Sequence, residues 1–128
     1  MLKTKIILIV DDDEDDRELF CEAIGQIDPG LKCEHAQDGI VALEYLADHE
    51  QVLPDFIFLD LNMPRFNGKQ FLAEIKKTEH LKKIPVIIYS TSNNEHDRVI
   101  TQKLGASGFL HKPTEFRTLC SELRKWVC

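Results

Sequence analysis

The chain has 128 residues, of which 43% are hydrophobic and 30% are charged, and its formal net charge is −6 at pH 7. This length suits a single domain, and the apolar fraction is typical of a chain that folds around a core. The acidic balance argues against a nucleic-acid-binding surface. No apolar run approaches the roughly 18 residues that a membrane-spanning helix needs. The N-terminus also lacks the features of a signal peptide, so the sequence favours a cytoplasmic protein.

The four cysteines are scattered along the chain. Cys21, Cys33, Cys120 and Cys128 form no CxxC pair, and a zinc site or a disulfide framework would need tighter spacing. In a cytosolic chain we therefore expect all four to remain reduced thiols, some of them buried.

Strand-like and helix-like segments alternate five times along the chain. Continuous apolar runs such as residues 6–10 are typical of strands covered on both faces, whereas residues 31–36 alternate like an exposed edge strand. Apolar stripes at helical spacing mark the helices. The predicted strands are residues 6–10, 31–36, 55–61, 85–89 and 108–111, and the predicted helices are residues 14–27, 39–49, 69–78, 95–104 and 115–127.

This alternation predicts an α/β fold. Strands joined by helical crossovers form a parallel sheet with helices on both faces. Ligands of such sheets bind outside the carboxyl ends of the strands. The residues that follow each strand are therefore the first candidates for a functional site.

Chemically active side chains lie at or just after the ends of four of the five predicted strands. Asp11 and Asp12 follow the first, Ser90 follows the fourth and Lys112 follows the fifth, while Asp60 lies at the end of the third. Taken singly, the first two acids fit a helix N-terminus, Ser90 fits a turn and Lys112 fits the surface. Asp60 is different, because a carboxylate that closes so apolar a run needs partners.

Together these residues fit phosphoryl chemistry. Clustered carboxylates repel one another, and Mg²⁺ is a hard cation held by one or two carboxylates together with phosphate oxygens. A backbone carbonyl just past Asp60 is a further candidate ligand. Asp60 would attack an activated phosphoryl group, while the metal and Lys112 offset the charge on its oxygens. Ser90 would hydrogen-bond a phosphoryl oxygen.

Over essentially its whole length the chain resembles the receiver domains of two-component response regulators. The resemblance rests on motifs that occur in a fixed order. They are Leu8-Ile9-Val10-Asp11-Asp12, Phe58-Leu59-Asp60-Leu61-Asn62-Met63-Pro64 followed by Gly68, Pro85-Val86-Ile87-Ile88-Tyr89-Ser90, Gly105-Ala106 with Gly108-Phe109, and Lys112-Pro113. Residues 81–94 and the loop before Asp55 look most like stand-alone receivers of the cyanobacterial phytochrome-partner type.

The resemblance implies a flavodoxin-like (βα)5 fold with strand order 2-1-3-4-5 and a mechanism. A sensor histidine kinase or a histidine phosphotransfer protein would phosphorylate Asp60. Asp11, Asp12, Asp60 and the backbone carbonyl of Asn62 would surround Mg²⁺. Ser90 and Phe109 would form the switch pair. Because Thr91 follows Ser90 and Asp13 follows Asp12, the switch hydroxyl and the acidic pair could each also be assigned one position further along the chain. The Lys112–Pro113 bond is often cis in this family.

The chain also suggests how a signal would leave the domain. It ends just after the fifth predicted helix, so we expect one receiver domain over residues 1–128 with no output domain. The protein would catalyse its own phosphorylation and dephosphorylation without being an enzyme that turns over a separate substrate. Output would pass to a downstream protein partner or along a phosphorelay. Homodimerisation through the fourth helix, fifth strand and fifth helix is a further possibility.

Other interpretations account for parts of the sequence. Asp11 as nucleophile and Asp13 as general acid would suit a phosphatase of the haloacid dehalogenase type, but Asp60 would then have no role. Asp11, Asp13, Asp15 and Glu22 have the spacing of an EF-hand, but Asp16 occupies the position of its glycine. A receiver-shaped module that no longer signals is a third alternative. A dinucleotide site is disfavoured because no glycine-rich loop follows the first strand.

Overall fold

The computed structural model describes residues 5–48, 52–63 and 66–128. Five strands and five helices alternate along these residues, and their bounds differ from the predicted ones by a few residues at most. The predicted end of the second helix, His49, lies outside the described residues. The strands are β1 (Ile6–Val10), β2 (Lys32–Ala36), β3 (Phe56–Leu59), β4 (Val86–Ser90) and β5 (Gly108–His111), and the helices are α1 (Glu14–Ile27), α2 (Gly39–Ala47), α3 (Gly68–Lys77), α4 (Glu95–Lys103) and α5 (Phe116–Val127).

The strands form one parallel sheet in the order β2-β1-β3-β4-β5. This order confirms the predicted α/β, flavodoxin-like fold. All five residues of β1 are buried, as a strand between two others and under two helical layers must be. Strand β2 lies at the edge and exposes Lys32 and His35, as its alternating pattern predicted.

Side chains from the two faces of the sheet form two separate apolar cores. On one face, Ile7 and Ile9 of β1 pack with Phe20 of α1 and Leu123 of α5. On the other face, alternate strand residues such as Leu8 pack with helices α2 and α3, and with Leu104 just after α4. Successive residues of a strand point to opposite faces, so the continuous apolar runs supply both cores at once.

Helix α1 divides the acidic run into parts with different roles. Asp13 is its N-cap, and the Asp13 carboxylate accepts hydrogen bonds from the backbone N–H groups of Asp15 at 2.9 Å and Asp16 at 3.2 Å. Residues after Asp13 therefore belong to a helix and not to a calcium loop, which removes the EF-hand interpretation. Asp11 and Asp12 stay in the loop at the carboxyl edge of the sheet.

One expectation from the sequence is wrong. Cys21 of α1 and Cys33 of β2 form a disulfide, and only Cys120 and Cys128 are free thiols. Packing of α1 on β2 brings the Cα atoms of Cys21 and Cys33 to within 5.5 Å, a distance suited to a disulfide. Their separation of 12 in sequence gave no sign of this contact. No cis peptide bond occurs in the described residues, so the bond between Lys112 and Pro113 is trans.

No helix among the described residues is both long enough and apolar enough to cross a bilayer.

Candidate functional site

Three carboxylates meet where β1 and β3 end. Val10 and Leu59 are partners in the sheet, so the residues that follow them, Asp11 and Asp60, leave it side by side. The backbone N–H of Asp60 still donates to the carbonyl of Val10, at 2.9 Å. One carboxylate oxygen from each of Asp11, Asp12 and Asp60 lies within 4.8 Å of the other two. The structure thus brings these predicted residues together.

Burial sets the electrostatics of this cluster. Asp11 is 0% exposed and Asp60 is 5% exposed, whereas Asp12 is open to solvent. Burial raises the pKa of Asp60 to about 6; the charge of Lys112 opposes this rise and that of Asp11 adds to it. Burial also raises the pKa of Asp11, against the hydrogen bond from Lys112. The negative charge of the cluster is therefore only partly compensated by the protein itself.

Lys112 supplies the main positive charge of the site. Its Nζ lies 2.7 Å from Asp11 Oδ2, 2.8 Å from Asp16 Oδ2 and 3.9 Å from Asp60 Oδ1. Burial alone would lower the pKa of Lys112, but the hydrogen bonds to Asp11 and Asp16 outweigh it and leave that pKa raised. The ammonium group is thus held charged and close to Asp60, but it is bonded to the two neighbouring acids.

Two residues that hold Asp11 and Lys112 were missed from the sequence. Asp16 accepts from Lys112, and Arg17 Nη1 donates to the backbone oxygen of Asp11 at 2.8 Å. Both belong to the first turns of α1, and the position of its cap, Asp13, is the signal that would have placed them at this edge of the sheet. The N–H of Asp13 donates to Asp11 Oδ1 at 2.9 Å, so the loop before α1 is fixed from several sides.

Ser90 and Phe109 lie on the same face of the sheet. Ser90 ends β4 and is 0% exposed, and its Oγ accepts a hydrogen bond from the N–H of Ser92 at 3.1 Å. Phe109 of β5 pairs with Ile88, two residues before Ser90, so its side chain emerges on the same side. Phe109 is half-buried, and the guanidinium carbon of Arg98 lies 4.7 Å from the centre of its ring.

The loop after Asp60 runs close beneath α3. A Cβ atom on Gly68 would overlap the backbone of Asp60 and Leu61, so glycine is what permits this approach. The N–H of Gly68 donates to the carbonyl of Leu61 at 3.1 Å, and the N–H of Asn62 donates to the Asp60 carboxylate and lowers its pKa. Asn62, whose carbonyl is the fourth predicted metal ligand, is exposed beside the acidic cluster.

The donor set suits a divalent cation. Asp11, Asp12 and Asp60 offer only oxygen atoms, which hard cations such as Mg²⁺ and Mn²⁺ prefer. Burial raises the pKa of Asp11 and Asp60, and a bound cation would favour the ionised form of both acids. The acidic triad is therefore able to bind a divalent metal ion.

Comparison with known proteins places this site in a family. Residues 7–124 match the family described as "Response regulator receiver domain". The response regulator Rcp1 of Synechocystis sp. is 33% identical over 119 residues, which are 90% of this chain and 81% of Rcp1. A crystal structure of the phosphorylated cyanobacterial phytochrome response regulator RcpA superposes with a TM-score of 0.86 at 32% identity, covering 96% of this chain and 91% of that one.

A second solved structure bears on the metal site. The Mn²⁺-bound form of Rcp1 has a TM-score of 0.82 and 32% identity, and the similarity covers 94% of this chain and 90% of Rcp1. The resemblance to cyanobacterial phytochrome response regulators, first seen in the sequence motifs, is thereby confirmed.

The five-stranded doubly wound sheet carries at its carboxyl edge an acidic triad able to bind a divalent metal ion, and with the family match this arrangement is that of a receiver domain, a phosphoacceptor rather than a classical enzyme. The chain belongs to the response regulator receiver domain family of two-component signal transduction. Receiver domains interact with histidine kinases. The family match sets aside the haloacid dehalogenase interpretation, in which Asp13 would be a general acid, because that carboxylate caps α1 instead.

Proposed function

We propose that this chain is a single receiver domain that accepts a phosphoryl group on Asp60, in a Mg²⁺-dependent reaction, from a histidine kinase or a histidine phosphotransfer protein. The observation that carries the proposal is the position of Asp60. Its carboxylate is buried and lies within 4.8 Å of ligand atoms of Asp11 and Asp12, with the Lys112 ammonium 3.9 Å away. The family match over residues 7–124 supports one receiver domain in the chain.

In the proposed reaction an Asp60 carboxylate oxygen forms a bond to phosphorus as the bond from phosphorus to the phosphohistidine nitrogen breaks. The electron pair of the broken bond stays on the imidazole, and Asp60 becomes an acyl phosphate. Only the ionised carboxylate of Asp60 is reactive enough, and because burial raises its pKa in the metal-free protein, a bound cation would help to keep it ionised.

The remaining site residues would position and neutralise the phosphoryl group. Mg²⁺, held by Asp11, Asp12, Asp60 and the carbonyl of Asn62, would supply positive charge next to the phosphoryl oxygens. Lys112 would donate to one of these oxygens, and its hydrogen bonds to Asp11 and Asp16 keep it close by until then. The hydroxyl of Ser90 would donate to another. Lys112 and Ser90 would thereby also set how fast the acyl phosphate hydrolyses.

The proposed output is a change of surface. Movement of Ser90 towards the phosphoryl group would open space on the face of the sheet that Phe109 shares, and the half-buried ring would turn inward. The face formed by α4, β5 and α5 would then change shape and bind a downstream protein partner or a second copy of the chain. This is a two-state element biased by a local change of charge.

The test is phosphoryl uptake from a small donor such as acetyl phosphate. Wild-type protein with Mg²⁺ is expected to become phosphorylated, and Asp60→Asn to take up nothing. Asp15→Asn is the matched control, because Asp15 belongs to the same acidic run but is exposed in the first turn of α1. Uptake by Asp60→Asn equal to that of the control, or uptake that does not depend on Mg²⁺, would contradict the proposal.

A further inference from the structure

A chain of hydrogen bonds leads from α3 to the hydroxyl of Ser90. Lys69 Nζ lies 2.8 Å from Asp97 Oδ1, and Ser92 Oγ donates to Asp97 Oδ2, also at 2.8 Å. The backbone N–H of Ser92 in turn donates to Ser90 Oγ at 3.1 Å. The carboxylate of Asp97 thus joins two helices and the loop between β4 and α4.

Three hydrogen bonds involve the amide and the hydroxyl of Ser92. Besides the two hydrogen bonds that it donates, its Oγ accepts from the N–H of Asn94 at 3.1 Å. Asp97 lies in the first turn of α4, and its side chain is only 20% exposed. The hydrogen bond from Lys69, reinforced by the one from Ser92, lowers the pKa of Asp97, so the carboxylate is charged at neutral pH.

The anchor lies beside the candidate site. Asn62, Lys69 and Asp97 all line one cleft of about 210 Å³ at the carboxyl edge of the sheet. Lys69 belongs to the first turn of α3, the helix that Gly68 brings against the backbone of Asp60. Asp97 therefore connects the loop after Ser90 to the same structural support that holds the loop after Asp60.

We propose that Asp97 is a positioning residue of the switch, which together with Lys69 holds the Ser92 amide against Ser90 and so opposes the movement of Ser90 towards Asp60. The inference rests on the proposed function in one respect, namely that Ser90 bonds a phosphoryl group on Asp60. Such a movement requires that the hydroxyl leave the Ser92 amide or that the loop move with it. Because Asp97 ties the loop to α3, either course disrupts a hydrogen bond of the network.

The expected size of the effect follows from the exposure of the pair. An ion pair that is partly open to solvent contributes little, and its loss changes an equilibrium by about two- to fivefold. Loss of Asp97 should therefore shift the balance towards the activated form by about this factor. Beryllofluoride, which mimics a phosphoryl group on a carboxylate, reports this balance directly as an apparent Kd in saturating Mg²⁺.

The principal variants break the same ion pair from its two ends. Asp97→Ala and Lys69→Met are each expected to bind beryllofluoride about two- to fivefold more tightly than wild type, and the double variant no more tightly than either alone. Glu74→Ala and Lys77→Met on α3 are the matched controls, since that exposed pair, 3.9 Å apart, does not touch the loop. Neither control should change the Kd.

A second background separates positioning from a general structural effect. In Ser90→Ala protein the hydroxyl that the network holds is gone, so Asp97→Ala should no longer tighten binding. Unchanged or weaker binding by Asp97→Ala in the wild-type background would overturn the inference, as would equal tightening in both backgrounds. Failure of the proposed function would be seen separately, in wild-type protein that binds beryllofluoride no better than Asp60→Asn.

Discussion

Replacement of Asp60 by Asn should stabilise the folded protein while it abolishes phosphorylation. Burial raises the pKa of Asp60 from its ordinary value of 3.8 to about 6 in the folded state. Between these values the folded protein keeps a proton that the unfolded chain has lost, so the free energy of unfolding falls as the pH rises through this window. One pKa unit corresponds to about 1.4 kcal/mol. The difference of roughly two between the folded and unfolded states therefore lowers the free energy of unfolding by about 3 kcal/mol above pH 6.

Asp60→Asn removes this cost, since the amide has no charge to bury. In metal-free solution we expect its free energy of unfolding to exceed that of wild type by up to about 3 kcal/mol at about pH 8. The difference should be much smaller at about pH 4, where Asp60 is protonated in the folded protein and still partly protonated in the unfolded chain. Urea unfolding at the two pH values measures the difference. Asp12→Asn is the control, because that neighbouring acid is exposed and its loss should change stability by less than about 1 kcal/mol. Equal stabilities of Asp60→Asn and wild type at the higher pH would refute the reasoning.

Three further substitutions test other parts of the structure. Lys112→Met leaves the buried Asp11 carboxylate without its cationic partner, so it should lower the free energy of unfolding by on the order of 3 kcal/mol and slow phosphoryl uptake. The control is Lys125→Met at an exposed position, which should change the free energy of unfolding by less than about 1 kcal/mol in urea unfolding. Gly68→Ala forces α3 away from the Asp60 backbone, so we expect the free energy of unfolding to fall by about 1–3 kcal/mol and phosphoryl uptake to weaken. No change in either quantity would contradict the close approach of α3 to that backbone. Cys21→Ser removes the disulfide to Cys33 and should lower the free energy of unfolding by about 3 kcal/mol. A reducing agent should have the same effect on wild type and on Cys120→Ser, which both keep the disulfide, but no effect on Cys21→Ser. No effect of reduction on wild type would show that the bond does not form.

Much of the fold was predictable because its signals are local. The bounds of β1 and α1 agree with those predicted, since a fully buried strand is a continuous apolar run and the Asp13 cap precedes a regular apolar stripe. Helix α3 begins at Gly68, one residue earlier than predicted. Asn67 and Gln70 form a capping box there, and their spacing was present in the sequence but was not used.

The acids of the candidate site were predictable for a topological reason. Residues that follow adjacent parallel strands meet at one edge, so Asp11 and Asp60 converge whatever their separation in sequence. The contacts of Lys112 were harder to predict from the sequence. Its hydrogen bond to Asp16 joins the first turn of α1 to the residue after β5, and it depends on tertiary packing that leaves no local pattern in the sequence.

Contacts between distant segments account for the remaining differences. The disulfide depends on how α1 packs against an edge strand, and neither Cys21 nor Cys33 lies in a recognisable motif. The bond between Lys69 and Asp97 joins two helices whose relative position only the assembled sheet determines. Interactions of this kind become visible when three-dimensional distances are known.

The most direct test of the account is to locate the phosphoryl group. Wild-type protein would be incubated with Mg²⁺ and a phosphohistidine donor, such as a phosphorylated histidine kinase, and the acyl phosphate would be reduced with borohydride before peptide mapping by mass spectrometry. We expect a single modified residue, Asp60, and no modification when Mg²⁺ is withheld. Modification of Asp11 or of any other residue in place of Asp60 would contradict it.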